Sequence, residues 1–97
     1  MAEAAGVTAE VVRLDVFLWY VRLAKTRSAA AGVAAAGHVR IDGRVAARAH
    51  AAVRVGNVVT VPAHGRVRVI RVEAIPHRRG PAPEALACYT DLAPPSP

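Results

Sequence analysis

Apolar residues first recur with the period of an α-helix just after Val12. They follow the i, i+3, i+4, i+7 spacing that places side chains on one face: Leu14, Phe17, Leu18 and Val21. Asp15 stands where an N-cap residue is expected, and the pattern ends near Leu23. We therefore expect a short helix whose apolar face forms the first part of a core.

A second helix is predicted directly after the first. Thr26 precedes a run of small residues and is placed to cap a helix that extends through Ala36. Gly37 follows at the position where a residue in the left-handed conformation commonly ends a helix. The two helices therefore meet at a tight turn that contains Lys25.

After Gly37 the period of the pattern changes to two. Val39 and Ile41 alternate with polar residues, and Asp42-Gly43 is a strong signal for a hairpin turn. Another turn at Gly56-Asn57 precedes two further predicted strands, over 58–61 and 66–75. The pattern indicates an α+β fold in which two short N-terminal helices pack on a small twisted antiparallel sheet of about four strands.

The length of 97 residues suits one domain, which we expect to span 12–76. Residues 1–11 are small and weakly acidic, lack an apolar period, and are expected to form a flexible leader. Residues 77–97 are rich in proline and are expected to form a loosely attached tail with a short helix over 84–90. No internal repeat is visible.

The distribution of charge favours a polyanion as the partner. The chain has 13 Lys and Arg residues against 7 acidic residues, and 12 of the 13 are arginine. All 13 lie between Arg13 and Arg79, where the only acidic residues are Asp15, Asp42 and Glu73. Arginine matches phosphate with a planar fork of donors, although a GC-rich genome produces the same bias towards arginine. The clustering of the charge is therefore the stronger signal.

The sequence shows no pattern of a catalytic or metal site. The four histidines are 12 to 14 residues apart, and no cysteine stands at a zinc-binding distance from them. No glycine-rich phosphate loop is present, and the single cysteine, Cys88, cannot form an internal disulfide. The longest run without a charged residue or histidine, 28–37, is far shorter than the roughly 20 residues that span a bilayer. We expect a cytoplasmic binding protein without enzyme activity, cofactor, metal or membrane partner.

The candidate binding residues surround the junction of the two helices and the hairpin. The cations of this constellation are Arg13, Arg22, Lys25, Arg27, Arg40 and Arg44. A helix N-terminus presents free amides to phosphate, so the turn at Thr26-Arg27-Ser28 combines amides, hydroxyls and a guanidinium. The alternative is a solvated charged surface, and His38 fits either a phosphate contact or a simple turn.

Four segments together resemble the S4-type RNA-binding domain. They are Arg13-Leu14-Asp15, Lys25-Thr26-Arg27-Ser28, Gly37-His38-Val39-Arg40-Ile41-Asp42-Gly43 and Val55-Gly56-Asn57. More narrowly, Leu18-Trp19 and the later Arg78-Arg79-Gly80-Pro81-Ala82-Pro83-Glu84-Ala85 are similar to the bacterial heat-shock protein 15 family. The chain departs from that family at Asp42-Gly43, where Asn-Gly is usual, and at Gly56-Asn57, where Gly-Asp is usual. Both changes preserve turn chemistry.

The resemblance implies a non-catalytic module that binds structured RNA. Members of the family bind the large ribosomal subunit, particularly one left carrying peptidyl-tRNA, so the implied partners are its ribosomal RNA and tRNA. The implied role is recycling or quality control of stalled subunits. By position, the implied RNA face consists of Arg13, Asp15, Lys25, Thr26, Arg27, Ser28, Gly37, His38, Val39, Arg40 and Asp42. Within this face Asp15 is expected either to orient a neighbouring arginine or to cap its helix.

Two other functions remain open at the level of sequence. Domains of this type often tether pseudouridine synthases or synthetases to RNA, so the chain also fits an RNA-targeting accessory subunit of a separate enzyme. The same charge also fits non-specific binding of DNA. We expect a monomer, because few exposed apolar residues remain once the core is assigned.

Overall fold

A computed structural model of the chain describes residues 10–92. Most of the expected leader, residues 1–9, and the end of the tail, residues 93–97, lie outside the described residues. In chain order the elements are β1 (Val12–Arg13), α1 (Leu14–Tyr20), α2 (Arg27–Ala35), β2 (Arg40–Ile41), β3 (Arg44–Val45), β4 (Ala52–Val53), β5 (Val58–Ala63), β6 (Arg66–Val72), α3 (Ala82–Ala87) and β7 (Tyr89–Asp91). The predicted α+β class is confirmed.

Helix α1 buries the apolar face that its spacing predicts. Its four stripe residues are all almost fully buried: Leu14, Phe17, Leu18 and Val21. The helix ends at Tyr20 and does not continue to Leu23, because Arg22 adopts a left-handed backbone conformation with φ 64°. The amides of Leu23 and Ala24 both turn back to the carbonyl of Leu18, at 2.9 and 3.0 Å.

The prediction that Asp15 caps helix α1 is wrong. The helix begins at Leu14, and the N-cap residue is Arg13, whose side chain makes no capping hydrogen bond. A neighbouring loop satisfies the first amides of the helix, since Leu14 N donates to Ala51 O at 2.9 Å and Asp15 N donates to Ala49 O at 3.0 Å. The carboxylate of Asp15 is therefore available for other partners.

Helix α2 begins and ends as its sequence predicts. The side chain of Thr26 caps it by accepting a hydrogen bond from Ala29 N at 2.9 Å, and Gly37 adopts the left-handed conformation with φ 81°. Ala30 and Ala34 are fully buried. Their small side chains let the helix lie close against α1.

Strands β3-β2-β5-β6-β7, in this spatial order, form a five-stranded antiparallel sheet, and β1 pairs with β4 separately. The predicted hairpin turn is present, with φ 53° at Asp42 and 84° at Gly43. One face of the sheet contributes buried residues such as Val59 and Ile70 to the core under the helices. On the other face of β6, Val67 is 63% exposed.

The described part of the tail adds a helix and a strand to the fold. Strand β7 pairs with β6, with Tyr89 opposite Val72, and α3 begins two residues earlier than the predicted 84–90 segment. Arg79 Nη1 donates to Trp19 O at 2.6 Å, and its guanidinium lies 5.6 Å from the centre of the Trp19 ring. The expected loose attachment therefore does not extend to residues 77–92.

Candidate nucleic-acid interface

A buried carboxylate at the start of α1 holds two arginines that project to the surface. Asp15 is 4% exposed. Its two oxygens accept hydrogen bonds from Arg13 Nε at 3.1 Å and Arg13 Nη2 at 3.0 Å, and Oδ2 also accepts from Arg27 Nη2 at 3.5 Å. The side chains of Arg13 and Arg27 remain 52% and 51% exposed. One carboxylate thus orients two guanidinium groups and leaves the cluster with a positive charge.

The environment keeps Asp15 ionised. Burial by itself raises the pKa of this carboxyl group, but the hydrogen bonds and charge of Arg13 outweigh it. The amide of Val16, which donates to Asp15 Oδ1 at 2.8 Å, and the charge of Arg27 act in the same direction as Arg13. The pKa therefore lies below its ordinary value of 3.8, and the carboxylate is anionic at neutral pH.

The lowered pKa of Asp15 predicts a loss of stability in acid. Because the pKa is lower in the folded chain than in the unfolded one, the contribution of the ionised group is complete above pH 3.8 and is lost as the pH falls through the folded value. Urea unfolding from pH 6 down to pH 2 measures this loss. In Asp15→Asn this part of the acid dependence is expected to be absent, and parallel curves for the two proteins would contradict the assignment.

The N-terminus of α2 lies beside this cluster and offers further donors. The amide of Ala29 is occupied by the Thr26 hydroxyl, and within residues 10–92 no backbone acceptor bonds the amides of Arg27 and Ser28. The positive end of the helix dipole is at the same place. Lys25 and Ser28 are exposed beside it. These groups have the arrangement that binds phosphate at helix N-termini.

The hairpin presents one cation on each of its faces, and its exposed acid bonds to the neighbouring 56–57 turn. Arg40 and Arg44 are exposed, and Arg40 Nη1 donates to Gly43 O at 3.3 Å. The carboxylate of Asp42 accepts hydrogen bonds from Val58 N and Asn57 Nδ2, both at 2.8 Å. Asp42 therefore joins the hairpin to the 56–57 turn, and its own charge faces protein donors.

Two of the sequence-predicted site residues lie away from the Asp15 cluster. Arg22 follows the opposite end of α1, where its Nε donates to Gly80 O at 2.8 Å. The side chain of Val39 is fully buried, so Val39 supports the segment from the core. Gly37 and His38, on the same segment, are both exposed.

Two residues that the sequence analysis missed belong beside the site. The loop that satisfies the first amides of α1 also contains Arg48 and His50, and both side chains are exposed. Pairing of β1 with β4 places Arg13 opposite Ala52, just after this loop. The sequence showed that Arg48 is positively charged. It could not place the residue beside the site, because the loop has no periodic pattern that indicates which elements it contacts.

Other kinds of site are not evident between residues 10 and 92. No cluster of three or more His, Cys, Asp or Glu side chains suited to a metal ion occurs in that range. None of the helices described there has the length and apolar character needed to cross a membrane. The single cysteine, Cys88, is buried.

Comparison with known proteins gives a family match and a structural match. The S4 domain model matches residues 12–59, a segment that contains Asp15, α2 and the hairpin. The fold is similar to that of Heat Shock Protein 15 from Vibrio cholerae, whose structure at 2.3 Å resolution is trimeric. The TM-score is 0.80 and the sequence identity is 36%, over 87% of this chain and 84% of that chain. None of the curated proteins gives a significant sequence match.

Proposed function

The chain belongs to the heat-shock protein 15 family of S4-domain RNA-binding proteins, and from this premise we propose that it binds ribosomal RNA of the large ribosomal subunit. It acts in recycling or quality control of stalled subunits that carry peptidyl-tRNA. This tRNA is a second RNA that the chain contacts in the proposed role. In this role it works in the cytoplasm as a monomeric binding module and catalyses no reaction.

The observation that best supports this proposal is the pair of arginines held by Asp15. Each guanidinium group offers donors in a fixed plane that matches phosphate oxygens. Arg13 donates to Asp15 through Nε and Nη2, and Arg27 donates through Nη2. The other N–H groups of these two arginines remain available to a ligand. Because the carboxylate restricts both side chains before RNA arrives, less conformational entropy is lost on binding.

The proposed RNA face extends from this pair over three neighbouring segments. At the start of α2 it includes Lys25, Thr26 and Ser28, with the amides of the first turn. Towards the hairpin it includes Gly37, His38, Arg40 and Arg44, and in the loop between β3 and β4 it includes Arg48 and His50. Asp15, Val39 and Asp42 act in this face as positioning residues, through the contacts described above.

Co-sedimentation with ribosomes tests this proposal. Tagged protein in a bacterial lysate is run through a sucrose gradient at near-physiological salt, with a high-salt gradient alongside. We expect recovery with free large subunits that is lost at high salt, because phosphate contacts release counterions. Recovery only at the top of the gradient would contradict the ribosomal assignment, and recovery with a modifying enzyme would favour the accessory-subunit alternative.

Two double variants with the same loss of charge test whether the association with large subunits depends on the proposed face. Arg13→Ala with Arg27→Ala is expected to leave the large-subunit fraction. Arg66→Ala with Arg71→Ala removes the same charge from two exposed arginines of β6 and is expected to remain in that fraction. Equal loss of both variants would indicate attraction by net charge alone.

A further inference from the structure

A second cationic surface lies where the connection between α1 and α2 faces the turn between β5 and β6. It is a groove of about 380 Å³, within the range of roughly 300–1,000 Å³ found for small-ligand pockets. Its polar lining comes from Arg22, Lys25 and His64, and its apolar wall includes Ala29, Val33 and Pro62. No acidic residue lines it. The groove therefore combines positive charge with an apolar surface.

Hydrogen bonds hold the rim of this groove in place. His64 Nδ1 lies 3.0 Å from Arg68 Nη1, and because a guanidinium only donates, this ring nitrogen is the acceptor. The ring hydrogen is then on Nε2, which donates to Arg22 O at 3.1 Å. His64 therefore links Arg68 on β6 to the backbone of Arg22 after α1. Lys25 supplies positive charge to the groove, whereas the Nε of Arg22 is bonded to Gly80 O, and Gly80 does not line the groove.

The groove is continuous with the proposed RNA face. Lys25 lines it and directly precedes Thr26, the N-cap residue of α2. Ala29 lines it from the first turn of the same helix, whose first residue, Arg27, contacts Asp15. Only Thr26 separates Lys25 from Arg27 in the sequence. An RNA backbone bound at Arg27 is therefore adjacent to the groove.

We infer that this groove takes an unpaired nucleotide of the RNA, next to the segment bound at Arg13 and Arg27. Lys25 contacts its phosphate, and the base lies against the apolar wall at Val33 and Pro62. Unpaired nucleotides are recognised by cations at the backbone together with a surface on which the base packs, and in this groove that surface is aliphatic. A base in a duplex is stacked and paired, so it does not enter a concave groove. The inference rests on the proposed function and adds a preference for a junction between paired and unpaired RNA.

The test compares three versions of one RNA hairpin that share the same stem. One is blunt, one has a three-nucleotide single-stranded extension, and one has the same extension without bases. Each extension is placed at the 5′ end in one RNA and at the 3′ end in another. Fluorescence anisotropy then gives the affinity of the full chain for each RNA at one salt concentration. We expect the extension with bases to tighten binding by roughly fivefold or more at one of the two ends. The abasic extension, which adds only phosphates, is expected to add less.

Ala29→Glu places a negative charge in the groove without removing a cation. Ala29 is exposed and is the third residue of α2, where glutamate is favourable near the positive end of the helix dipole. The matched control is Ala35→Glu, which makes the same charge change at an exposed position of α2 outside the groove. We expect the gain from the extension to fall close to onefold in Ala29→Glu and to persist in Ala35→Glu.

Each outcome separates the inference from the proposed function. If the blunt hairpin binds and the extension adds nothing, the groove assignment is overturned and the proposed RNA face stands. A gain that survives Ala29→Glu, or one that the abasic extension reproduces in full, also overturns it. Binding of the extended hairpin alone supports the groove and contradicts the proposed face. Failure of every one of these RNAs to bind overturns both.

Discussion

Replacing both Arg13 and Arg27 with alanine is expected to weaken the binding of structured RNA by roughly 2–6 kcal/mol, at about 1–3 kcal/mol for each good contact. Both guanidiniums are half exposed and already oriented by Asp15. Their removal therefore eliminates two prepared phosphate contacts. It also leaves the buried carboxylate of Asp15 with only the amide of Val16 as a donor, so the double variant is expected to be less stable than the original chain. The affinity is measured by fluorescence anisotropy with a ribosomal RNA hairpin.

The salt dependence of the same measurement identifies what the two arginines contact. If each contacts a phosphate, the slope of log affinity against log salt becomes shallower by about 2 in the double variant. Arg66→Ala with Arg71→Ala serves as the control of equal charge, and far-UV circular dichroism establishes that both variants are folded. An unchanged affinity in the folded Arg13 and Arg27 variant would remove the basis of the proposed function.

Replacing Asp15 with asparagine is expected to weaken RNA binding, although it removes a negative charge from a surface that binds a polyanion. The ionised carboxylate fixes both arginines, and asparagine has only one acceptor oxygen, without the charge. Immobilising a long side chain costs about 0.5–1.5 kcal/mol. Release of both arginines is therefore expected to lower affinity by about 1–3 kcal/mol.

The sign of this effect separates orientation from attraction by net charge. If net charge alone determines binding, Asp15→Asn binds more tightly than the original chain. Glu84→Gln makes the same charge change at an exposed ion pair with Arg78 and is the control for that contribution. Tighter binding by both variants would contradict the positioning role of Asp15. Weaker binding by Asp15→Asn alone supports it.

Local patterns predicted the helices, their buried face and the hairpin. The period of α1, the Thr26 cap and Gly37 each depend on residues close in sequence, and the structure contains all three. Local turn chemistry also places Asp42 and Gly43 in the left-handed region. These features were predictable because steric and hydrogen-bonding preferences within a few residues decide them.

Contacts between distant segments explain what the sequence did not reveal. Asp15 is a poor cap here because the amides of α1 already bond the loop at Ala49 and Ala51, more than thirty residues away. The tail joins the sheet because β7 pairs with β6, and because Arg79 bonds the carbonyl of Trp19, sixty residues earlier. A periodic pattern along the chain does not indicate which distant residues contact each other.

In the candidate site, too, features that depend on nearby residues were predictable and features that depend on distant contacts were not. Sequence identified the cations and the N-terminus of α2, but it did not separate exposed contacts from supporting residues. Val39 was predicted to contact RNA, but its side chain is buried and supports the segment from the core. Arg22 was also predicted to belong to the site, but its side chain bonds Gly80 and lies away from Asp15. The geometry around Asp15 required the packed structure, because Arg27 reaches Asp15 across the α1–α2 junction.

Nuclear magnetic resonance of the arginine side chains tests the central claim most directly. The labelled chain is titrated with a structured ribosomal RNA hairpin, and the Nε–Hε signals are followed together with the backbone amides. We predict that the signals of Arg13 and Arg27 shift in a saturable manner with the amide of Ser28, and that the signal of Arg71 on β6 stays unchanged. Shifts at Arg71 and Val67 with Arg13 and Arg27 unmoved would place the RNA on the open face of the sheet and contradict the account.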